Sequence, residues 1–148
     1  MVELTRAMKD DAAAQEGVPE ILGMLLDKTI QRNDRLGHVC ELTEFESATC
    51  RYLSASAYLK RIMNYSCCSE CCAVVGLLYL QRLKQRVQTL RLTSNNLQRL
   101  LLTSIMVAAK FLDDMYFSNK HWAQIGGLSL KEVNALEMIF LFRLNFDL

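Results

Sequence analysis

Two long apolar segments in the last third of the sequence limit the possible folds of this chain more than any other feature. They cover about residues 97–112 and 130–146, and a short polar segment separates them. Each is long enough for roughly four turns of helix and too long for a typical strand. A helix that is apolar on nearly every face is buried among other helices or in a membrane. A membrane span needs about 20 consecutive apolar residues, and Thr103, Ser104 and Lys110 interrupt the first segment, so we predict two central helices of a soluble bundle.

Each of these segments carries one charged side chain in an apolar setting. Lys110 follows an apolar run in the first segment, and Glu137 lies on an apolar stripe of the second. By the three-and-four spacing of a helix, that stripe includes Val133, Leu141 and Leu144. Because a buried charge needs a partner or hydrogen bonds, we expect Lys110 and Glu137 to pair if the two helices lie side by side. Two interpretations stay open: a purely structural pair or two snorkelled side chains, or the rim of a docking face that offers hydrogen bonds to a partner's backbone.

Apolar stripes at helical spacing predict four further helices. They begin near Pro19, Ser54, Glu70 and Ser118 or Asn119, and they end near Leu36, Tyr65, Thr89 and Gly126-Gly127. The stripe of the first helix comprises Ile21, Leu22, Leu25, Leu26, Thr29 and Ile30. The stripe of the helix from Glu70 includes Ala73, Val74, Leu77, Leu78, Leu80 and Leu83.

Polar residues mark the ends of the two central helices. Asp113-Asp114 is expected to end the first, and Ser129 with Glu132 forms a capping box before the second. No run of alternating apolar and polar residues indicates a strand. We therefore predict a single all-α domain, a five-helix bundle preceded by an N-terminal helix. Residues 1–18 are predicted to be an N-terminal extension, and residues 19–148 to form the domain.

Length, charge and composition limit the class of protein. The chain has 148 residues, enough for one domain, and 51% of them are hydrophobic. Its formal net charge is +1, so no global field indicates nucleic acid or a membrane surface as a partner. Residues 1–17 lack the apolar core of a signal peptide. We therefore expect an intracellular protein, cytoplasmic and/or nuclear, that binds neither nucleic acid nor membrane.

The cysteines permit more than one interpretation. There are six of them: Cys40, Cys50, Cys67, Cys68, Cys71 and Cys72. An even count indicates a disulfide framework in a short secreted chain, and no secretory signal is visible here. Cys67 and Cys71 would share one helix face, and tetrahedral zinc accepts thiolates, but no second CxxC motif completes a site. Since buried cysteine behaves as a small hydrophobe, we predict reduced, metal-free cysteines on a buried helix face.

Nothing in the sequence assembles an active site. No serine, cysteine or histidine stands at a recognisable spacing from an orienting acid. Gly126-Gly127 lacks the flanking glycine and the lysine of a phosphate-binding loop, and Asp113-Asp114 has no second acidic motif to complete a metal site. We therefore predict that the protein is not an enzyme and uses no catalytic residue, metal or cofactor.

One long pattern resembles a known family. It begins with the ungapped residues 99–114, RLLLTSIMVAAKFLDD, and continues with Gly126-Gly127, Ser129, Lys131-Glu132 and Leu136-Glu137. Weaker matches occur at Arg32-Asn33-Asp34, Tyr58-Leu59, Arg61-Ile62 and Tyr79-Leu80. On these residues the chain resembles the cyclin box over roughly residues 20–148, and specifically the P/U-type cyclins of yeast, plants and protists.

The resemblance implies a single cyclin-box fold and a regulatory role. Such a protein would bind and activate a cyclin-dependent protein kinase, in cell-cycle or nutrient-response control. Its central helices would pack on the mobile helix of the kinase's small lobe. The positions that match kinase-binding residues of the family are Lys110, Phe111, Glu137, Leu141 and Phe146. The alternative is a cyclin-box interaction module that acts in transcription or as a non-kinase adaptor.

Two positions depart from the family pattern. Gln81-Arg82 stands where cyclins usually have Asp-Arg, so an acid that could hold an internal ion pair is missing. His121-Trp122 replaces two tyrosines and keeps the aromatic bulk, so Trp122 is expected to pack in the core.

Overall fold

The structure, a computed structural model, describes residues 17–37, 42–47 and 53–148. Within these ranges the chain forms six α-helices and one short 3₁₀ helix, Thr43–Phe45. The α-helices are α1 (Val18–Arg35), α2 (Ala55–Ser66), α3 (Glu70–Arg86), α4 (Leu97–Leu112), α5 (Asn119–Gly126) and α6 (Leu130–Arg143). These ranges contain no strand, so the predicted all-α bundle of five helices and an N-terminal helix is confirmed.

Helix α4 lies at the centre of the bundle. All of residues 100–109 are buried, and α4 contacts α2, α3, α5 and α6. Its buried hydroxyl groups find acceptors in their own helix: Thr103 Oγ1 donates to the carbonyl of Arg99 at 2.7 Å, and Ser104 Oγ to that of Leu101 at 3.0 Å. Since a buried polar group without a partner costs free energy, these bonds allow α4 to be surrounded on every side.

Helices α3 and α4 approach each other closely at Gly76. A Cβ atom at this position would lie 2.9 Å from Cγ1 and 3.2 Å from Cα of Ile105. A side chain here would therefore have to displace both a core residue and the backbone of α4.

Helix α1 packs on α2 and caps it from outside. The two carboxylate oxygens of Asp27 accept hydrogen bonds from the amides of Ala55 at 2.6 Å and Ser56 at 3.2 Å. The predicted cap is also present, because Ser54 Oγ accepts from the amide of Ala57 at 3.1 Å. The first amides of a helix have no acceptor within it, and its N-terminus favours a negative charge. Asp27 thus satisfies groups that α2 cannot satisfy alone.

Helices α3 and α6 end three residues before their predicted ends, and the other helix ends agree with the prediction to within one residue. Helix α1 begins at Val18, one residue before Pro19, and α3 ends at Arg86 rather than near Thr89. Helix α6 ends at Arg143, before the end of the apolar segment at residue 146. Asn145 and Phe146 have φ angles of 55° and 54°, so Phe146 lies in a left-handed turn after α6.

The predicted apolar stripes of α1 and α3 are only partly buried. Five of their members belong to the core: Leu26, Ile30, Ala73, Leu80 and Leu83. The prediction is wrong for four others, which are 38–55% exposed: Ile21, Leu25, Val74 and Leu78. The physical reason is coverage: α1 packs mainly against α2 and α3, and α3 mainly against α4 and α1, so the sides of α1 and α3 that face away from these contacts stay exposed.

Two smaller expectations can be compared with the fold. Trp122 is fully buried, which confirms its predicted packing role. No helix in the described part of the chain has both the length and the apolar character needed to cross a bilayer.

We expect Gly76→Val to lower the free energy of unfolding by about 1–3 kcal/mol, because the added atoms overpack the contact between α3 and α4. Urea unfolding of the purified domain measures this change. Ala135→Val on the exposed side of α6 is the matched control, and helix propensity alone should cost it less than about 1 kcal/mol. Equal losses in the two variants would show that the close approach at Gly76 is not a constraint.

Candidate protein-docking face

The predicted pairing of Lys110 with Glu137 is present. Lys110, in the last turn of α4, donates from Nζ to Oε1 of Glu137, in the middle of α6, at 2.6 Å. The side chains are 26% and 16% exposed. The pair is therefore neither fully buried nor freely solvated, and it lies where α4 emerges from the core.

The Glu137 carboxylate also binds a third helix. Its Oε2 accepts from Nδ2 of Asn119, the first residue of α5, at 2.7 Å. The same nitrogen lies 2.7 Å from Oδ1 of Asn134. Sequence analysis missed Asn119, which it assigned only to the start of a helix, because spacing along the chain does not show which side chain a carboxylate will meet. Glu137 thus connects α4, α5 and α6.

Large apolar side chains are exposed beside this ion pair. Phe111 follows Lys110 and is 60% exposed, and Phe146 is 54% exposed. Phe142, which the sequence analysis did not select, is 65% exposed and meets Phe146 edge to face, with ring centroids 5.2 Å apart. We call the surface formed by Lys110, Phe111, Glu137, Phe142 and Phe146 the α4–α6 face. Exposed apolar clusters rimmed by polar groups are typical of protein interaction sites.

The five predicted site residues differ in their contacts and in their exposure. Lys110 and Glu137 are in direct contact. Phe111, at the end of α4, and Phe146, in the turn after α6, are exposed. Leu141 is half-buried and packs against the core, so most of its side chain already serves the fold. Further exposed apolar residues belong to α4, α6 and the segment between α4 and α5: Leu112, Met115, Tyr116, Phe117 and Met138.

Asp113, directly after α4, is tied to the start of α3. Ser69 donates to it twice, from Oγ at 2.6 Å and from its amide at 3.2 Å. Hydrogen bonding from the Ser69 side chain lowers the pKa of Asp113, while burial opposes this shift. Cys72 Sγ lies 3.4 Å from Oδ2 of Asp113. Burial raises the pKa of the Cys72 thiol to about 12, so this group remains a neutral donor near pH 7.

The cysteine prediction is wrong in its geometry. Cys67 and Cys71 do not share a helix face, because α2 ends at Ser66 and α3 begins at Glu70. Both are exposed, and Cys67 has a left-handed backbone with φ of 51°. Of the four cysteines in the described cluster, Cys72 alone is buried, and Cys68 is half-buried.

The metal expectation can be compared with the structure only in part. The four cysteines of the cluster are free thiols, and Cys40 and Cys50 lie outside the described residues. Among the residues that the structure does describe, no group of three or more His, Cys, Asp or Glu side chains is arranged to hold a metal ion.

The all-helical fold is consistent with a cyclin box, and comparison with known proteins gives the same class. A sequence model of the family described as Cyclin matches residues 6–148, nearly the whole chain. The chain therefore belongs to the cyclin family. Membership supports a regulatory role, since cyclins as a family are regulatory rather than enzymatic.

Individual relatives narrow the class to the P/U type, as the sequence pattern predicted. The chain is 42% identical to Cyclin-U4-1 of Arabidopsis thaliana over 131 residues. This alignment covers 86% of the chain and 65% of the relative. It is 39% identical over 144 residues to Cyclin-P4-1 of Oryza sativa subsp. japonica, covering 93% and 68%. Cyclin-U4-3 of Arabidopsis thaliana is 35% identical over 151 residues, covering 99% and 69%. The chain thus spans about two thirds of the length of these relatives.

We expect the four cysteines of the cluster to react with iodoacetamide at very different rates at pH 8. Cys67 and Cys71 are exposed and should be alkylated first. Cys72 should be slowest, because burial limits access and the raised pKa leaves little thiolate. Peptide mass spectrometry of timed samples measures each site, and urea-unfolded protein, in which the rates should converge, is the control. Alkylation of Cys72 as fast as Cys71 would contradict the described packing.

Proposed function

We propose that this chain binds and activates a cyclin-dependent protein kinase through the α4–α6 face, in cell-cycle or nutrient-response control. Membership of the cyclin family supports a kinase partner in general. The observation that carries the proposal is a partly buried polar pair, Lys110 and Glu137, on two helices that also expose aromatic side chains at or just beyond their ends. An apolar surface with a few oriented polar groups is the composition of a specific protein interface.

The ion pair keeps hydrogen-bonding capacity for a partner. An ammonium group has three donor hydrogens, and a carboxylate has about four acceptor sites. Within the described contacts, Lys110 Nζ uses one donor on Glu137, and each carboxylate oxygen accepts one bond. Because both groups are held in place by the fold, a kinase backbone segment could bind to them with little further loss of side-chain entropy.

The aromatic side chains supply the apolar part of the interface. Phe111, Phe142 and Phe146 are each more than half exposed in the free chain. Complete burial of such a side chain contributes about 1.5–3 kcal/mol, and roughly half of that remains available here. These residues should therefore contribute to binding while costing the fold little when truncated.

The proposed mechanism is a population shift in the kinase. A kinase whose mobile small-lobe helix is out of position lacks the contact between its glutamate and its ATP-binding lysine. A cyclin that binds only the ordered arrangement stabilises it by its differential affinity for the two states. In this mechanism the α4–α6 face contributes a rigid surface and no catalytic group.

The charge distribution does not favour the alternative of nucleic-acid binding. Arg82 and Arg86, in the basic run of α3, are both engaged by Asp147: Arg82 Nη1 donates to its carbonyl at 3.0 Å, and Arg86 Nη2 lies 3.2 Å from Oδ2. These contacts also give Arg82 an acidic neighbour where the usual family aspartate is replaced by Gln81. Arginines that are partly engaged within the chain offer less to a phosphate backbone.

We expect Lys110→Ala and Glu137→Ala each to weaken kinase binding by about 2–5 kcal/mol, because truncation leaves one charge of an interfacial pair without its partner. This corresponds to roughly 30- to 3,000-fold in dissociation constant. Calorimetry with a cyclin-dependent kinase that the wild-type chain retains in a pull-down measures the loss, and the unfolding midpoint is recorded on the same samples. Retention of no such kinase by the wild-type chain would refute the proposed function itself.

The Arg99–Glu132 ion pair provides a matched control, because it also joins α4 to α6, at 3.1 Å, but near the opposite end of α4. Arg99→Ala should lower the unfolding midpoint and leave kinase affinity per folded molecule unchanged. If the Lys110 and Glu137 variants behave in the same way as Arg99→Ala, their role is structural only and the docking assignment fails.

We expect Phe142→Ala and Phe146→Ala to weaken kinase binding by about 1–2 kcal/mol each, or roughly 5- to 30-fold. Tyr65→Ala is the matched control, since Tyr65 is an aromatic residue with 62% exposure in the last turn of α2. All three variants should unfold within about 1 kcal/mol of wild type, because surface truncations away from packed contacts have small effects. Equal kinase affinity in the two phenylalanine variants and the tyrosine variant would contradict this placement of the interface.

A further inference from the structure

A second apolar surface lies between α1 and α3. It is a groove of about 350 Å³ with an apolar floor, and these residues line it: Leu26, Thr29, Asn33, Leu77, Leu80, Gln81, Lys84, Leu90 and Leu92. Its floor is held in place, because Asn33 Nδ2 donates to the carbonyl of Leu92 at 2.9 Å. The groove therefore belongs to the rigid part of the fold.

Two apolar residues at the edges of this groove belong to the predicted stripes of α1 and α3 but are exposed. Leu25 on α1 and Leu78 on α3 are 55% and 47% exposed. Leu25 is four positions before the lining residue Thr29, and Leu78 is three positions before the lining residue Gln81, so each is next to a groove residue on its helix surface. The apolar surface is thus wider than the cavity itself.

The charged side chain that lines the groove is positive, and a second positive side chain lies next to the lining residues. Lys84 lines it, and Arg32 precedes the lining residue Asn33. Neither forms an ion pair with any residue that the structure describes. The two acids of α1 in this region face other elements: Asp27 accepts from the first amides of α2, and Asp34 Oδ1 accepts from the amide of Ser94 at 3.0 Å.

The groove is also separate from the α4–α6 face. Cys72, at the start of α3, lies 3.4 Å from Asp113 at the end of α4. Lys84 is 12 positions further along α3, which is about 18 Å at 1.5 Å per residue. The α4–α6 face also reaches the other end of α3, because Asp147, next to Phe146, contacts Arg82 and Arg86. By helical register these arginines lie on the side of α3 opposite Leu77 and Lys84. A partner in the groove and a kinase on the α4–α6 face would therefore meet different sides of α3.

From these observations we propose that the groove between α1 and α3 binds a short amphipathic helix of another protein, with apolar anchors and acidic flanking residues. Leu77 and Lys84 are seven positions apart on α3, or about 10 Å, which accommodates about two turns of a bound helix. Apolar side chains at three-and-four spacing would fill the floor. Carboxylates beside them would face Lys84 and Arg32 and favour this partner over a basic one.

The test uses two fluorescein-labelled peptides of about 14 residues with leucines at helical spacing. One has glutamate at the remaining charged positions, and the other has lysine there. Fluorescence anisotropy with the full chain should show saturable binding of the acidic peptide, at least about tenfold weaker binding of the basic one, and loss of affinity with added salt because rim charges are screened. Absence of binding, or equal binding of both peptides, overturns the proposal.

Point variants locate the binding site. Lys84→Glu should weaken binding of the acidic peptide at least about tenfold, and Leu77→Asp should abolish that binding. Lys131→Glu on α6 has the same charge change on another exposed lysine and should leave the affinity unchanged. Because Leu77 is partly buried, circular dichroism checks the fold of that variant. If Leu77→Asp unfolds, the Lys84→Glu variant alone tests the proposal, since Lys84 is exposed. An unchanged peptide affinity in Lys84→Glu overturns the proposal.

Two further measurements distinguish other occupants of the groove. If the chain sediments as a dimer that Leu77→Asp dissociates, a second copy covers the groove and the proposed partner is wrong. If the acidic peptide binds only after deletion of residues 1–16, the chain's own N-terminal segment is the occupant. Kinase affinity should be unchanged in Lys84→Glu, so failure of the groove proposal and failure of the proposed kinase function are separate results.

Discussion

The complete burial of α4 is the constraint on which the rest of the structure depends. A helix with apolar residues on every face must be surrounded, and α2, α3, α5 and α6 provide that surrounding. The few polar groups of α4 are either satisfied within the helix, as for Thr103 and Ser104, or placed at its ends. Lys110 is the point where α4 leaves the core, so the same feature that stabilises the bundle also determines where a charged group can meet another protein.

The sequence predicted this part of the site well because its signal is local. Lys110 and Glu137 are conspicuous because each stands among apolar residues, and their pairing follows from the cost of leaving either charge alone. The helices themselves follow from periodicity, and the Ser129–Glu132 capping box is present as predicted. In these cases the residues that decide the structure are within one or two helical turns of each other, or are the only candidates available.

The parts that could not be predicted depend on how much of each helix its neighbours cover. Periodicity assigned Leu25 and Leu78 to apolar stripes, but it does not show that nothing described lies over the outer sides of α1 and α3. Cys67 was expected to share a helix face with Cys71, but Cys67 itself has a left-handed backbone conformation and ends the helical geometry there. Phe142 and Asn119 were missed for a related reason: their roles arise from the left-handed turn after α6 and from the meeting of three helices at Glu137.

The way α1 caps α2 has a consequence for how the domain folds. The carboxylate of Asp27 and the amides that it accepts from are 28 and 29 positions apart in the chain. The first turn of α2 therefore reaches its full set of hydrogen bonds only once α1 is in place, and opening of either helix exposes polar groups of the other. The N-terminal helix and the first helix of the box form one cooperative unit, so the helix that precedes the box is an integral part of the domain rather than an appendage to it.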